Sequence, residues 1–185
     1  GVEPVAEPAW GKAPWFDRWA EEHRVVRDGV GLMDMSFMAK FSVEGPDAAA
    51  VLDRMSAVDV AAAPETITYT QWLNAQGRLE ADLTVTKLTD DRFFVVVTDT
   101  MVRHAETWMK RNIPDGAHAF VTDVTSGYGQ LNVQGPRSRE LLQALTSVDL
   151  SNAAFPFRAA REIDIGYARV LCTRITYLGE LGYEL

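Results

Sequence analysis

Cysteine and histidine are scarce in this sequence, and their scarcity restricts the chemistry that the chain can carry. Cys172 is the only cysteine among 185 residues, so a disulfide cannot form within the chain and a cysteine-based metal site is excluded. The three histidines, His23, His104 and His118, lack the spacing of metal ligands on one helix. We therefore expect no metal ion in the function of this chain.

Basic residues and long apolar runs are also few. The 18 Lys and Arg residues are outnumbered by 26 Asp and Glu residues, which gives a net charge of −8. A nucleic-acid surface needs a basic stripe that neutralises phosphates, so we expect no nucleic-acid partner. No apolar run approaches the roughly 20 residues that span a bilayer, so we expect no membrane partner. The expected location is the cytoplasm, with the mitochondrial matrix as the alternative.

Two common catalytic motifs are absent. The sequence has neither Gly-x-Gly-x-x-Gly nor the Walker pattern, the glycine-rich loops that cradle phosphates. The nearest approach to such a loop is Gly127-Tyr128-Gly129, which is more typical of a tight turn. No serine lies in a Gly-x-Ser-x-Gly context, so nothing supports Ser-His-Asp catalysis.

The composition that remains is typical of a globular domain. Apolar residues make up 47% and charged residues 24% of the chain, which are ordinary values. Pro4, Pro8 and Pro14 indicate that residues 1–14 form an extended connector. The chain begins with Gly1 and stops at Leu185 within an apolar-aromatic run. We therefore expect it to be a piece of a longer polypeptide.

An internal repeat organises the rest of the chain. A shift of 90 residues, from Val43 to Val133, places Val43-Glu44-Gly45-Pro46 on Val133-Gln134-Gly135-Pro136. An apolar strand, a Gly-Pro turn and an apolar-faced helix predict a strand–turn–helix unit used twice. These units should span Val43–Met55 and Val133–Leu145, within halves of residues 15–122 and 123–185. Strands mixed irregularly with helices indicate an α+β fold.

The stretch from Leu73 to Leu88 is predicted to form a β-hairpin with the strand before it. An apolar strand over Thr66–Leu73 enters Asn74-Ala75-Gln76-Gly77, and a second alternating strand follows. Asp82 begins that second strand and shares a face with Thr84 because strand side chains alternate. The residues leave two interpretations of the Asp82 carboxylate open: a solvated acid at a strand end, or a group directed into a pocket.

The most specific feature is the terminal segment, Tyr177-Leu178-Gly179-Glu180-Leu181-Gly182-Tyr183-Glu184-Leu185. We predict a strand over Ala168–Tyr177, a bend at the two glycines and a return to a strand at Tyr183. Glu184 lies between apolar neighbours, and a carboxylate can accept two parallel N–H bonds from an amidine-like edge such as that of a pterin or a guanine. A strand-end glutamate at the rim of a sheet is the alternative of equal weight. Met38 can contact a flat ring, although core packing explains it more simply.

With the hairpin and the terminal segment both in view, the sequence resembles the folate-binding aminomethyltransferase family. That family includes the glycine-cleavage T-protein and the C-terminal halves of dimethylglycine and sarcosine dehydrogenases. The similarity runs in the family's order from Trp15 to Leu185 over Glu22–Arg27, Gly31–Met38, Val43–Ala48, Asn74–Gly77 with Asp82, Gln134–Pro136 and Tyr177–Glu184. Trp15-Phe16 and Met38-Ala39-Lys40-Phe41 look more like the flavin-dehydrogenase branch than the stand-alone T-protein.

The resemblance implies a fold, a cofactor and a set of site residues. The implied fold is a duplicated α+β folate-binding domain of mixed, mainly antiparallel sheets with flanking helices, and the implied cofactor is tetrahydrofolate. Asp82 would take the family's key acid position, although Glu80-Ala81-Asp82 stands where T-proteins usually carry paired aspartates. The cofactor-binding residues would be Tyr69, Thr84, Asp99, Tyr177, Glu184 and Met38, with Asp99 at a position where T-proteins often have asparagine.

These similarities predict a tetrahydrofolate-binding, one-carbon-transfer domain of a dimethylglycine- or sarcosine-dehydrogenase-like flavoprotein. An upstream domain in the same polypeptide, outside this chain, would hold FAD and oxidise an N-methyl amine. The domain described by this sequence would then give 5,10-methylene-tetrahydrofolate. A stand-alone T-protein and a non-catalytic folate-sensing domain of the same fold are the alternatives.

Overall fold

The computed structural model describes residues 10–61 and 63–185 of the chain. Residues 1–9 of the predicted connector therefore lie outside the described residues. The four α-helices of the described part are α1 (Phe16–Asp28), α2 (Ala48–Met55), α3 (Val102–Asn112) and α4 (Ser138–Gln143). Its strands are β1 (Gly31–Asp34), β2 (Ala39–Glu44), β3 (Thr66–Leu73), β4 (Leu79–Lys87), β5 (Arg92–Val97), β6 (Phe120–Asp123), β7 (Leu131–Gln134), β8 (Ala160–Ile165), β9 (Ala168–Thr173) and β10 (Gly182–Glu184).

The strands form two five-stranded antiparallel sheets. The first sheet has the order β3-β4-β5-β2-β6, and the second has the order β1-β7-β10-β9-β8. With helices flanking these sheets, the predicted α+β class is confirmed. β1 pairs with β7 in the second sheet, although it precedes every strand of the first sheet in the chain. The division of the chain at residues 122 and 123 stays a prediction.

Both copies of the predicted repeat form a strand, a turn and a helix. β2 leads to α2 through Gly45, and β7 leads to α4 through Gly135. The two glycines have nearly equal φ values of 125° and 126°, a region that side-chain-bearing residues rarely adopt. A Cβ at Gly45 would lie 2.1 Å from the His118 carbonyl oxygen, and one at Gly135 would lie 2.4 Å from that of Gly29. Close backbone approach therefore requires glycine in both copies.

One strand ends earlier than the sequence predicts. The strand predicted over Ala168–Tyr177 stops at Thr173, and Tyr177 lies in the loop that leads to β10. The Arg174 amide still donates across the sheet to the carbonyl of Ala159, and beyond it the Gly179 amide donates to Thr176 Oγ1 at 2.7 Å. The pairing with the segment before β8 thus ends at Arg174, and a local turn bond follows it.

Each sheet has its own hydrophobic core, and a smaller cluster joins the two. The first core packs the first sheet against α2 and α3, with Phe41, Trp72 and Phe93 fully buried. The second core includes Phe155 and Tyr183, and α4 packs there through Leu142. Full burial of such a side chain contributes roughly 1.5–3 kcal/mol. The joining cluster consists of Ile67, Ala160 and Ile175.

Backbone bonds hold the edges of the two sheets together. The Ile67 amide donates to the Arg158 carbonyl at 2.9 Å, and the Ala160 amide donates to the Glu65 carbonyl at 2.8 Å. β3 of the first sheet therefore lies beside β8 of the second, and the space between the sheets is enclosed by both halves of the chain. None of the helices in residues 10–61 and 63–185 combines the length and apolar character that crossing a membrane would require.

Candidate functional site

The Asp82 carboxylate is held by two side chains of the neighbouring strand. Asp82 lies directly opposite Gln71 in the β3–β4 pair, and Tyr69 lies opposite Thr84. Tyr69 Oη donates to Asp82 Oδ2 at 2.9 Å, and Gln71 Nε2 donates to Asp82 Oδ1 at 3.2 Å. The hydrogen bond to Asp82 raises the pKa of the Tyr69 phenol. Each oxygen of the carboxylate therefore has a fixed donor while the group stays open to solvent.

Glu184 lies in a contrasting, mostly buried environment on β10. It pairs across the sheet with Asn132 of β7. Asn132 Nδ2 donates to Glu184 Oε1 at 3.1 Å, and Gln130 Nε2 donates to Glu184 Oε2 at 3.4 Å. Burial raises the pKa of the Glu184 carboxyl, and the Asn132 hydrogen bond opposes that shift. The acid is thus surrounded by neutral amides, whose dipoles replace only part of its hydration.

Two acceptor atoms beside Glu184 are left without partners. Gln130 is 7% exposed and Asn132 is 0% exposed. Within residues 10–61 and 63–185, neither Gln130 Oε1 nor Asn132 Oδ1 receives a hydrogen bond. Buried polar atoms are nearly always satisfied. This cluster therefore suits a ligand that presents N–H groups.

A cavity of 770 Å³ between the two sheets contains both acids. Of the seven residues that the sequence analysis proposes, six line it: Met38, Tyr69, Asp82, Thr84, Tyr177 and Glu184. Its volume is in the range of pockets for small molecules, about 300–1,000 Å³. The fold therefore brings together the hairpin and the terminal segment, which are far apart in the chain.

Asp99 is the proposed site residue that does not line this cavity. It begins the 3₁₀ turn Asp99–Met101. Its Oδ1 accepts from the Thr100 amide at 2.8 Å and from Thr98 Oγ1 at 3.2 Å, so the carboxylate is engaged locally. Thr98, its neighbour, lines the cavity instead.

A buried lysine holds the segment that carries Met38. Lys40 is 1% exposed, and its Nζ donates to the carbonyls of Met38 at 2.7 Å and Ser36 at 3.0 Å. Burial lowers the pKa of this ammonium group. Met35, Phe37 and Met38 all line the cavity, so Lys40 positions an apolar wall of the site.

Several residues that line the cavity or contact its acids could not be proposed from the motifs in the sequence. Gln71 alternates with Tyr69 on a strand, and Gln130 alternates with Asn132, so the period of two could have placed each pair on one face. Phe157 and Arg158 line the cavity from a loop. No local pattern could have found Arg158, because its position depends on contacts between the sheets.

A second cavity of 520 Å³ lies next to the first and shares Val96, Gln130 and Glu184 with it. Glu184 therefore contributes to both spaces. The remaining lining is largely apolar and comes from strands of both sheets and from the Gly127–Gly129 turn.

The arrangement supports two kinds of chemistry. Asp82, held open to solvent, can accept a proton or stabilise positive charge on a bound molecule. Glu184 and the two amides can recognise a flat edge with several N–H donors through charge-assisted bonds. Ligand recognition by Glu184 and acid–base chemistry by Asp82 would thus take place at different walls of one cavity.

Comparison with known proteins gives a family match for the sequence and a match for the fold. Residues 4–185 match the family model described as the GCVT N-terminal domain. The whole chain aligns with 22% of the length of 4-methylaminobutanoate oxidase (formaldehyde-forming) from Paenarthrobacter nicotinovorans, at 38% identity. It also aligns with 21% of the length of mitochondrial dimethylglycine dehydrogenase from Mus musculus, at 31% identity. Among solved structures, the glycine cleavage system aminomethyltransferase T from Bartonella henselae matches with a TM-score of 0.76 at 27% identity, over 89% of this chain and 43% of that one. The chain therefore spans about a fifth of the length of the oxidase and the dehydrogenase.

Proposed function

Because this chain belongs to the GCVT N-terminal domain family, we propose that it binds tetrahydrofolate and assists one-carbon transfer in a dimethylglycine- or sarcosine-dehydrogenase-like flavoprotein. It is an aminomethyltransferase-type domain related to those dehydrogenases and to the glycine-cleavage T-protein. The observation that carries the proposal is the meeting of Asp82 and Glu184 on the walls of one cavity.

The residues of the cavity fit a reduced folate. A pterin presents several N–H groups on one edge, and Gln130 Oε1 and Asn132 Oδ1 are buried acceptors without partners in the described part of the chain. The Glu184 carboxylate between them can accept two parallel N–H bonds. The exposed rings of Tyr69 and Tyr177 also line the cavity and offer flat apolar surface to the ligand. This donor and acceptor pattern supports a pterin against a purely apolar ligand.

Asp82 is the group that we assign to acid–base work. When bound, tetrahydrofolate supplies the nitrogens that take up the one-carbon unit, and the product is 5,10-methylene-tetrahydrofolate. Tyr69 and Gln71 each donate to one oxygen of Asp82 and so fix the direction of its remaining lone pairs. An ionised Asp82 can hold a proton released beside it or stabilise a nearby positive charge. Keeping these groups in place supplies the proximity that favours the transfer.

The rest of the proposed protein lies outside this chain. We infer an upstream domain in the same polypeptide that holds FAD and oxidises an N-methyl amine, which the lengths of the two dehydrogenase and oxidase relatives support. The likeness to aminomethyltransferase T favours a second candidate, transfer from an aminomethyl carrier without a flavin domain. Flavin absorbance in the intact protein distinguishes the two.

Replacement of Asp82 by Asn in the intact protein tests the assignment. The amide keeps the size of the side chain but removes its charge and its basic oxygen, so folate affinity should stay within about tenfold while the yield of 5,10-methylene-tetrahydrofolate falls by roughly 10²–10⁴. Amine oxidation, followed as flavin reduction, should continue, with the one-carbon unit released as formaldehyde. These yields are measured by stopped-flow absorbance and a formaldehyde assay.

The matched control is Asp164→Asn, which changes another exposed strand aspartate, on β8 and outside both cavities. Its yield should equal that of the unmodified protein. Full transfer activity in the Asp82→Asn protein would leave Asp82 as a solvated strand residue without a role in the transfer and overturn the assignment.

A further inference from the structure

Arg158 has an unusual backbone conformation at the wall of the 770 Å³ cavity. Its φ is 73°, a left-handed value that residues with a Cβ adopt at a cost. Its amide donates to the Arg174 carbonyl at 2.8 Å, and its carbonyl accepts from the Ile67 amide at 2.9 Å. The two sheets therefore clamp this residue from both sides. Strain of this kind persists where the surroundings determine the backbone, and it is concentrated at ligand-binding positions.

The guanidinium group is oriented but not neutralised. Arg158 Nε donates to the Ile67 carbonyl at 3.0 Å, and Nη2 donates to Thr68 Oγ1. An arginine has five N–H donors, so most of its donors remain for a further partner. Its described contacts include no carboxylate, although the chain has an excess of acids. The side chain is exposed and lines the cavity.

Arg158 is also the single cation among the described residues that line this cavity. The acids of the same lining are Asp59, Asp82 and Glu184. An anionic ligand group would therefore be repelled by most of the cavity and attracted at one place only. An arginine fork matches a carboxylate with two parallel hydrogen bonds, which gives position as well as attraction.

The cavity has two chemically different ends. At the buried end, Gln130 and Asn132 surround Glu184 and offer acceptors. At the open end, Phe157 and Tyr177 are 58% and 66% exposed, and Phe157 precedes Arg158 in the chain. The lining of one cavity thus offers buried polar acceptors, exposed aromatic rings and a cation.

We propose that Arg158 binds the glutamyl carboxylates of the folate and so selects for ligands that carry this acidic tail. The inference rests on the proposed function and extends it: Glu184 takes the pterin end, the exposed rings face the aminobenzoyl group, and Arg158 takes the anionic end. The fixed backbone and the bonds to Ile67 and Thr68 present the guanidinium to the ligand before it binds, which lowers the ordering cost of binding.

The test compares three ligands on the intact protein by calorimetric titration. Tetrahydrofolate has the full acidic tail, its diester has the same rings without tail charge, and 6-methyltetrahydropterin has the pterin alone. In the Arg158→Gln protein, affinity for tetrahydrofolate should fall about tenfold, the size expected for a partly exposed charge-assisted contact. Affinities for the diester and for 6-methyltetrahydropterin should not change. The Arg158→Gly protein should show the same pattern of affinities. Because glycine adopts a φ of 73° without strain, agreement between the two variants shows that the loss does not come from misfolding of the Arg158→Gln protein.

Arg78→Gln is the matched control, because Arg78 is an exposed arginine before β4 that lines neither cavity. It should leave all three affinities unchanged. An equal loss for tetrahydrofolate and its diester, or no loss for either, would overturn the role of Arg158. If the unmodified protein binds none of the three ligands, the proposed function itself fails, which is a different result from loss of tail selectivity.

Discussion

Glu184→Gln should make the protein more stable and its ligand binding weaker at the same time. Glu184 is mostly buried, accepts hydrogen bonds only from the neutral amides of Asn132 and Gln130 in the described structure, and has a pKa raised above its ordinary value of 4.5 by burial. The amide of glutamine has the same shape and no charge. The substitution therefore removes the desolvation cost of a carboxylate while keeping one acceptor oxygen.

The direction of the pH dependence follows from the raised pKa. Below the ordinary value of 4.5, Glu184 is protonated in both the folded and the unfolded protein, so it carries no penalty. As the pH rises from 4.5 through the pKa of Glu184 in the folded protein, the folded protein must either keep a proton on Glu184 or bury its charge. The free energy of unfolding of the unmodified protein therefore falls relative to that of the Glu184→Gln protein. A tenfold difference in proton affinity between the folded and unfolded protein corresponds to about 1.4 kcal/mol. The stabilising effect of Glu184→Gln should thus be present at neutral pH and absent in acid.

The size of the effect is a difference between two opposing contributions. Loss of one acceptor oxygen costs about 1 kcal/mol in hydrogen bonding, whereas an incompletely compensated buried charge costs about 1–3 kcal/mol or more. We therefore expect a net gain of about 1 kcal/mol at neutral pH. For the proposed pterin contact, one of two charge-assisted bonds is lost, so affinity should fall by roughly 10- to 100-fold.

Urea unfolding at a series of pH values measures the first effect, and calorimetric titration with tetrahydrofolate measures the second. Glu162→Gln serves as the control because Glu162 is exposed on β8 and lies 3.6 Å from Arg169. Loss of this exposed ion pair should cost at most about 1 kcal/mol at neutral pH, so the Glu162→Gln protein should not become more stable than the unmodified protein as the pH rises. A Glu184→Gln protein that is less stable than the unmodified one at neutral pH would refute this account of the buried carboxylate.

Three shorter predictions test other parts of the structure. Gly135→Ala should lower the free energy of unfolding, measured in urea, by about 3 kcal/mol or more because the added Cβ would meet the backbone. Gly166→Ala, at φ 57° with open space around it, should lower it by only about 1–2 kcal/mol. Equal losses would contradict the close backbone approach at Gly135. The hydrogen bond to Asp82 raises the pKa of Tyr69, so the Asp82→Asn substitution should lower that pKa. The titration is followed by tyrosinate absorbance, and the Tyr69→Phe protein identifies which part of the signal belongs to Tyr69. Cys172, whose pKa burial raises to about 12, should react with a thiol reagent only after urea is added, and rapid labelling of the folded protein would disprove its burial.

Local patterns in the sequence were sufficient for most of the secondary structure. Strand β3 has the predicted bounds because its apolar spacing and the turn residues that follow it lie within a few positions. The repeat was equally accessible, since Gly45 and Gly135 serve the same turn and nothing else fits their φ and surroundings. The resemblance to the family also rests on short motifs. Asp82 and Glu184 could therefore be proposed as acids of interest from the order of residues along the chain.

The tertiary structure decided which of these residues share a site. Sheet order depends on pairings between distant segments, so no local pattern could show that β1 joins β7, or that β10 places Glu184 beside Asn132. The predicted strand before Tyr177 ends at Thr173 and gives way to a turn held by Thr176, and the Asp99 carboxylate accepts from the neighbouring Thr100 amide. Arg158 became a cavity residue only because contacts from both sheets fix its strained backbone. Burial, which separates the pKa of Glu184 from that of an exposed acid, is likewise a property of the packed sheets and not of any stretch of the chain.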